Sequence, residues 1–112
     1  MEGFNLDTKN ADVKLESKNN ILTAAISGEI DHHCAKNIRQ EIDAALLSAS
    51  PNKLIIHMGG VTFMDSSGLG LILGRYTKAE EIGVQFSVQG AHGRVRQMFD
   101  MAGLDRIITF EG

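Results

Sequence analysis

Lys53-Leu-Ile-Ile-His-Met58 is a short, nearly continuous apolar run that starts just after the chain's single proline, Pro51. Such a run reads as a strand buried on both faces. Segments of helical periodicity flank it on either side, so the strand cannot be joined to its neighbours by tight hairpins. It needs crossover connections, and it is expected to be the central strand of a mostly parallel sheet.

Upstream of Pro51, Ala35, Ile38, Ile42, Ala45 and Leu46 fall at helical spacing between Lys36, Arg39, Glu41 and Asp43, which predicts one amphipathic helix over 33–48. Before it, Val13-Lys-Leu-Glu alternates apolar with polar, and a second run, Ile21 to Ser27, begins after Asn19-Asn20. Asparagine tolerates the positive φ of tight turns, so this stretch predicts an opening antiparallel hairpin.

Downstream, Leu69, Ile72, Leu73, Tyr76 and Ala79 predict a second helix beginning near Asp65, with Gly83 as its left-handed terminator. Gly70 and Gly74 share one side of it and cost about 1 kcal/mol each in helix propensity, so close approach to another backbone is expected there. Val84, Phe86 and Val88 alternate as a further strand, followed by the loop Gly90-Ala-His-Gly93. Val95, Met98, Phe99 and Ala102 give a short helix stopped by Gly103, and Ile107, Ile108 and Phe110 a last extended segment. The order ββαβαβα plus a tail predicts an α/β fold: one small mixed β-sheet, opening with an antiparallel hairpin and continuing in βαβα units packed with helices.

A chain of 112 residues, 43% hydrophobic, is the size of one domain, read as 1–112 with a polar lead-in over 1–10. Eleven basic and fourteen acidic residues give a net charge of −3 with no basic run, so no nucleic-acid partner is expected. No stretch approaches the ~20 apolar residues of a membrane span and the polar start lacks a signal-peptide core, so no membrane partner is expected and the protein is assigned to the cytoplasm. The lone Cys34 has no internal disulfide partner, in keeping with a reducing compartment.

In parallel sheets, functional loops gather at the carboxyl ends of the strands, which brings the loop Gly28–His33 near the loop Met58–Ser67. The second contains the densest signal, Phe63-Met-Asp-Ser-Ser-Gly-Leu-Gly70. Asp65 suits an N-cap, placing Ser66 and Ser67 in the first turn beside unpaired N–H groups and the positive end of the helix dipole. A phosphate there meets favourable partial charge, and Gly68 leaves space for another molecule's active site to approach. By local chemistry alone the motif is also an ordinary capping turn, and nothing local chooses between Ser66 and Ser67.

The segment Phe63–Tyr76, FMDSSGLGLILGRY, resembles the signature of the STAS-domain anti-anti-sigma factors of bacteria, and GEIDHHCA (28–35) and MFDMAGLDRIITF (98–110) resemble the same family in the right order. The likeness covers nearly the whole chain after about residue 10 and favours the sporulation branch, which acts on sigma-F, over a general stress circuit. The resemblance implies the STAS fold and a partner-switching role. The unphosphorylated protein binds an anti-sigma factor that is also an ATP-dependent serine kinase (SpoIIAB-like), releasing the sigma factor. The kinase then phosphorylates the first serine, Ser66, and a PP2C-type phosphatase (SpoIIE-like) reverses the mark. The protein is then a substrate and not an enzyme, with ATP used by the kinase and no cofactor of its own.

Partner contacts implied around Ser66 are Asp65, Ser67 and Gly68, with Asp31 on the neighbouring loop able to meet a cationic group of the kinase and to repel a new phosphate. Asp31 also suits a helix cap. Arg75, on the second helix, reads either as a solvated surface charge or as a partner contact. His57-Met58-Gly59-Gly60 departs from the acidic or amide residues common in the family, which predicts a more flexible loop. His57 itself reads as a hydrogen-bonded core residue.

Other chemistries fit less well. A hydrolase elbow requires Gly-x-Ser-x-Gly, and Met64-Asp65 precedes Ser66. His32, His33, Cys34, His57 and His92 lack a repeated metal-ligand spacing, adjacent histidines on extended backbone pointing apart, and no P-loop lysine accompanies Gly59, Gly60 and Gly68.

Overall fold

Asn19 and Asn20 adopt φ of 55° and 65°, the paired left-handed conformation of a tight hairpin turn. In the computed structural model, which describes residues 10–112, this turn joins β1 (Ala11–Lys18) to β2 (Ile21–Ile30) in antiparallel register, Lys18 opposite Ile21. The chain continues through α1 (His32–Ala49), β3 (Lys53–Met64), α2 (Ser66–Glu81), β4 (Gln85–Gln89), α3 (Gly93–Met101), a single 3₁₀ turn (Leu104–Arg106) and β5 (Thr109–Glu111). The polar lead-in, apart from Asn10, lies outside the described residues.

The five strands stand in chain order, β1-β2-β3-β4-β5, with every pair after the hairpin parallel. Right-handed crossovers that always advance to the next strand place their helices on one face. The core accordingly lies between one face of the sheet and the helices. Leu22, Ala24 and Ile26 of β2, Leu54, Ile56 and Met58 of β3 and Val88 of β4 meet Cys34, Ile38, Ile42 and Leu46 of α1, Leu71 and Ile72 of α2, and Val95 and Phe99 of α3. Phe99 also stacks edge-on against Phe110 of β5 at 5.2 Å.

The uncovered face corrects the expectation that β3 is buried on both sides. His57 is exposed there, not a core residue, and its Nδ1 accepts from the Gly59 N–H at 3.3 Å. Across the same face, Glu111 accepts from Ser87 Oγ at 3.1 Å and from Gln89 Nε2 at 3.0 Å, and pairs with Lys53 Nζ at 3.0 Å. These bonds, that from Gln89 first, hold the Glu111 carboxyl down at about 2.

Met58–Met64 is also not a loop. β3 runs on to Met64, and Gly60 and Val61 pair with Ser27 and Gly28. Two register shifts, each adding one residue to β3, bend the strand. The Gly59 carbonyl is held by His92 Nε2 at 3.2 Å, and a side chain at Gly60 would meet Ser27 Cβ at 2.9 Å. The Gly59-Gly60 pair is therefore strand backbone at a bulge.

Candidate functional site at the openings of α1 and α2

Ile30 and Met64 are partners at the ends of two adjacent parallel strands, and the Asp65 N–H donates to the Ile30 carbonyl at 3.1 Å. One hydrogen bond thus joins the β2–α1 junction to the β3–α2 junction. The two segments that sequence reasoning placed together do meet.

Each junction is an aspartate in extended conformation that caps the helix behind it. Asp65 Oδ1 accepts the Ser67 N–H at 2.8 Å and its carbonyl takes the Gly68 N–H at 2.9 Å. Ser66 opens α2 and is exposed, while Ser67 is half-buried. A hydroxyl that is exposed at the first position of a helix is accessible to another enzyme, and a phosphate added there lies at the positive end of the helix dipole.

Asp31 is more heavily engaged than a partner-facing carboxylate. Its Oδ1 accepts from the N–H groups of His33 (3.0 Å) and Cys34 (3.1 Å), and its Oδ2 from Asn10 Nδ2 at 2.8 Å. The Cys34 thiol lies 3.3 Å from Oδ1 and accepts the Asp31 N–H at 3.4 Å, closing a capping box in which sulfur stands where Glu or Gln is usual. The Asn10 bond, then those of Cys34, lower the Asp31 pKa to about 2, whereas burial pushes the Cys34 thiol up. Sequence reasoning missed Cys34 in this role. The spacing Asp31-x-x-Cys34 is that of a capping box, and only the unusual residue type hid it.

Gly28 carries φ of +94°, and a Cβ there would stand 2.2 Å from the Asn10 carbonyl oxygen. Only glycine lets the start of β1 run so close beside β2, and that approach brings Asn10 to Asp31.

Two expected surface residues face inward. Gly68 is buried, and a Cβ would lie 2.8 Å from Met64 Cβ and Sδ. Its lack of a side chain lets the first turn of α2 sit on β3, rather than leaving room for a visiting active site. Arg75 is 7% exposed and its Nε lies 3.3 Å from Asp43 Oδ1 of α1, so the surface-charge expectation is corrected. The pair is an ionic contact without an aligned hydrogen bond. Burial lowers the Arg75 pKa, with the Asp43 charge opposing and Arg39 adding to the effect.

Gly70 and Gly74 reverse the expectation of a close backbone contact, since a Cβ at either would meet nothing within 4 Å. His32 and His33 lie in the first turn of α1, not on extended backbone, with rings 4.0 Å apart. Among the described residues no group of three metal-ligating side chains gathers.

The STAS domain family matches residues 12–112, nearly all of the described chain. The chain belongs to the STAS family. Among its relatives, the anti-sigma F factor antagonist of Paenibacillus polymyxa is 33% identical over 99 residues, 88% of this chain and 85% of that one. The anti-sigma-B factor antagonist of Bacillus subtilis is 29% identical over 99 residues, 88% of this chain and 89% of its own length. An anti-sigma factor antagonist from Mycobacterium paratuberculosis superposes with a TM-score of 0.81 at 27% identity, covering 89% of this chain and 84% of that one. The unphosphorylated form of the anti-sigma factor antagonist SpoIIAA superposes with a TM-score of 0.77 at 28% identity, covering 90% and 89%. The phosphorylated form of the Bacillus SpoIIAA gives 0.71 at 27%, covering 90% and 92%. The chain is thus a member of the STAS anti-sigma factor antagonists, a regulatory and non-catalytic group that works by partner switching. No helix of the described residues is long and apolar enough to cross a membrane.

Proposed function

We propose that this STAS protein binds an anti-sigma factor that is also a serine kinase, thereby releasing a sigma factor, and that phosphorylation of Ser66 ends the interaction. The observation that carries the reading is the exposed Ser66 at the opening of α2, behind the Asp65 cap and beside the Asp31 junction. A relative of the same fold exists in phosphorylated and unphosphorylated forms, which supports a phosphate switch. The partners in this reading are a SpoIIAB-like serine kinase and a SpoIIE-like PP2C phosphatase. ATP belongs to the kinase.

Within the site, Ser66 and Ser67 offer the contact surface, and Asp65 caps the turn that carries them. Asp31 contributes residual negative charge from a carboxylate already committed to its cap. Gly68 and Arg75 act from beneath, by fixing α2 on β3 and on α1.

The relatives divide between sigma-F and sigma-B circuits. The broader reading, a partner switch within this group, is the better supported one, and the sigma-F assignment is its narrower form. Mixing the protein with the anti-sigma kinase of its own genome neighbourhood and ATP, then mapping phosphate by mass spectrometry, tests the switch. Phosphate on Ser66 is the expected result, and phosphate chiefly on Ser67 contradicts it. Release of sigma-F rather than a stress sigma factor from that kinase decides the circuit.

A further inference from the structure

Between the first halves of α1 and α2 lies an open cleft of about 350 Å³ lined by His32, Lys36 and Arg39 on one side and Ser67, Gly70 and Leu71 on the other. Lys36 and Arg39 are exposed, and among the described residues neither has a carboxylate within ion-pair distance. The α2 wall contributes no charge. In a chain of net charge −3, this is a local concentration of positive charge next to Ser66.

Gly70 supplies an independent observation. Glycine is the poorest helix former apart from proline, and a helix interior tolerates it where backbone or packing requires the missing side chain. At Gly70 nothing inside the chain does: φ is not positive, and a Cβ would meet no atom within 4 Å. Gly74 is equally bare, but of the two only Gly70 lines the cleft, where its missing side chain leaves the space open.

We propose that this cleft receives an acidic segment of the kinase, one or more carboxylates seating between Lys36 and Arg39 over the bare backbone of Gly70, and so holds the kinase in register on Ser66. The proposal rests on the partner-switch reading and adds the element that aligns the two molecules. Charge complementarity of this kind governs encounter and register. The groove between β3 and α3, lined by Phe63, Met98 and Met101, is more apolar but has nothing beside it that identifies an occupant.

The test measures kinase affinity, its salt dependence and melting temperature for the wild type, Lys36→Glu/Arg39→Glu, Gly70→Gln and Gly74→Gln, the last lying one turn along α2 outside the cleft lining. The double reversal is expected to weaken binding by about tenfold or more and to flatten its salt dependence. Gly70→Gln is expected to keep or raise the melting temperature, because glutamine favours helix, while weakening binding by roughly fivefold or more. Gly74→Gln is expected to leave affinity unchanged. Wild-type affinity in the double reversal or in Gly70→Gln overturns the proposal. Inorganic phosphate that binds through Lys36 and Arg39 and leaves kinase affinity unchanged also overturns it, since the cleft is then an anion site apart from the kinase interface. If the wild type neither binds the kinase nor accepts phosphate, the partner-switch reading falls and this proposal with it. If the wild type does both and the variants bind equally, only the cleft is wrong.

Discussion

Asp31 and Asp65 occupy equivalent positions, each the first residue beyond one of two paired parallel strands and each capping the helix that follows, and the Asp65 N–H donates to the carbonyl of Ile30 next to Asp31. Two capped helices thus start side by side from a joined edge, and Ser66 stands exposed on that edge. The caps fix the backbone that carries Ser66 before any partner arrives.

Gly68→Ala should destabilise the fold by about 1–3 kcal/mol, because the new methyl would overpack against Met64 Cβ, which cannot swing away as the sulfur can. Denaturant unfolding checks it. An unchanged or increased stability would mean that α2 can shift on β3 without cost.

Asp43→Ala leaves the Arg75 guanidinium buried without its counter-charge. Since Asp43 is itself one-third exposed, the expected loss is about 2 kcal/mol, less than for a wholly buried pair. Replacing Arg75 and Asp43 together by Met and Ala should cost less than Asp43→Ala alone. A double-mutant cycle by thermal melting reads the coupling, and additive losses would show that the contact between α1 and α2 is not an ion pair.

Acid stability should depend on Asp31 and Glu111, whose pKa values are lowered from 3.8 and 4.5 to about 2. Between those values the unfolded chain binds protons that the folded chain does not, so stability rises with pH. Their contribution is complete above about pH 5 and fades as pH falls toward 2. Glu111→Gln should therefore give a shallower decline of melting temperature from pH 5 to pH 2 than the wild type, and Asp31→Asn likewise. Parallel curves for wild type and variants would mean that neither carboxylate is held down by its partners.

Most of the architecture was legible because periodicity reports burial. The helices at 33–48 and from Asp65, the Asn19-Asn20 turn and the meeting of the two junctions follow from local pattern and crossover geometry. The misreadings have physical causes. The apolar run Lys53–Met58 does not reveal that consecutive right-handed crossovers leave one face bare, so the pattern alone points to a core His57. Gly59-Gly60 suggested a loop because glycine marks bulges as well as turns. Arg75 reads as exposed in the sequence because one arginine on a helix gives no hint of Asp43 on another. Gly68 and Gly70 look alike in sequence, yet one lies against Met64 and the other faces open space.

The switch itself is the central claim, and it requires that phosphate change binding far more than folding. The added charge of about −1.5 to −2 falls at a helix N-terminus that tolerates it, while a contact made for a neutral hydroxyl must accommodate a dianion, and each 1.4 kcal/mol of mismatch weakens binding about tenfold. Ser66→Ala should bind the kinase and take up no phosphate, and Ser66→Asp should imitate the mark only in part, having one charge and no phosphate oxygens.

The most direct measurement is kinase affinity and melting temperature on the same preparations of free and Ser66-phosphorylated protein, with amide spectra recorded alongside. The expected result is a loss of affinity of about a hundredfold or more with a nearly unchanged melting temperature and spectral shifts confined to the openings of α1 and α2. Equal affinity of the two forms, or a large fall in melting temperature with spectral change across the sheet, would contradict a local switch at Ser66.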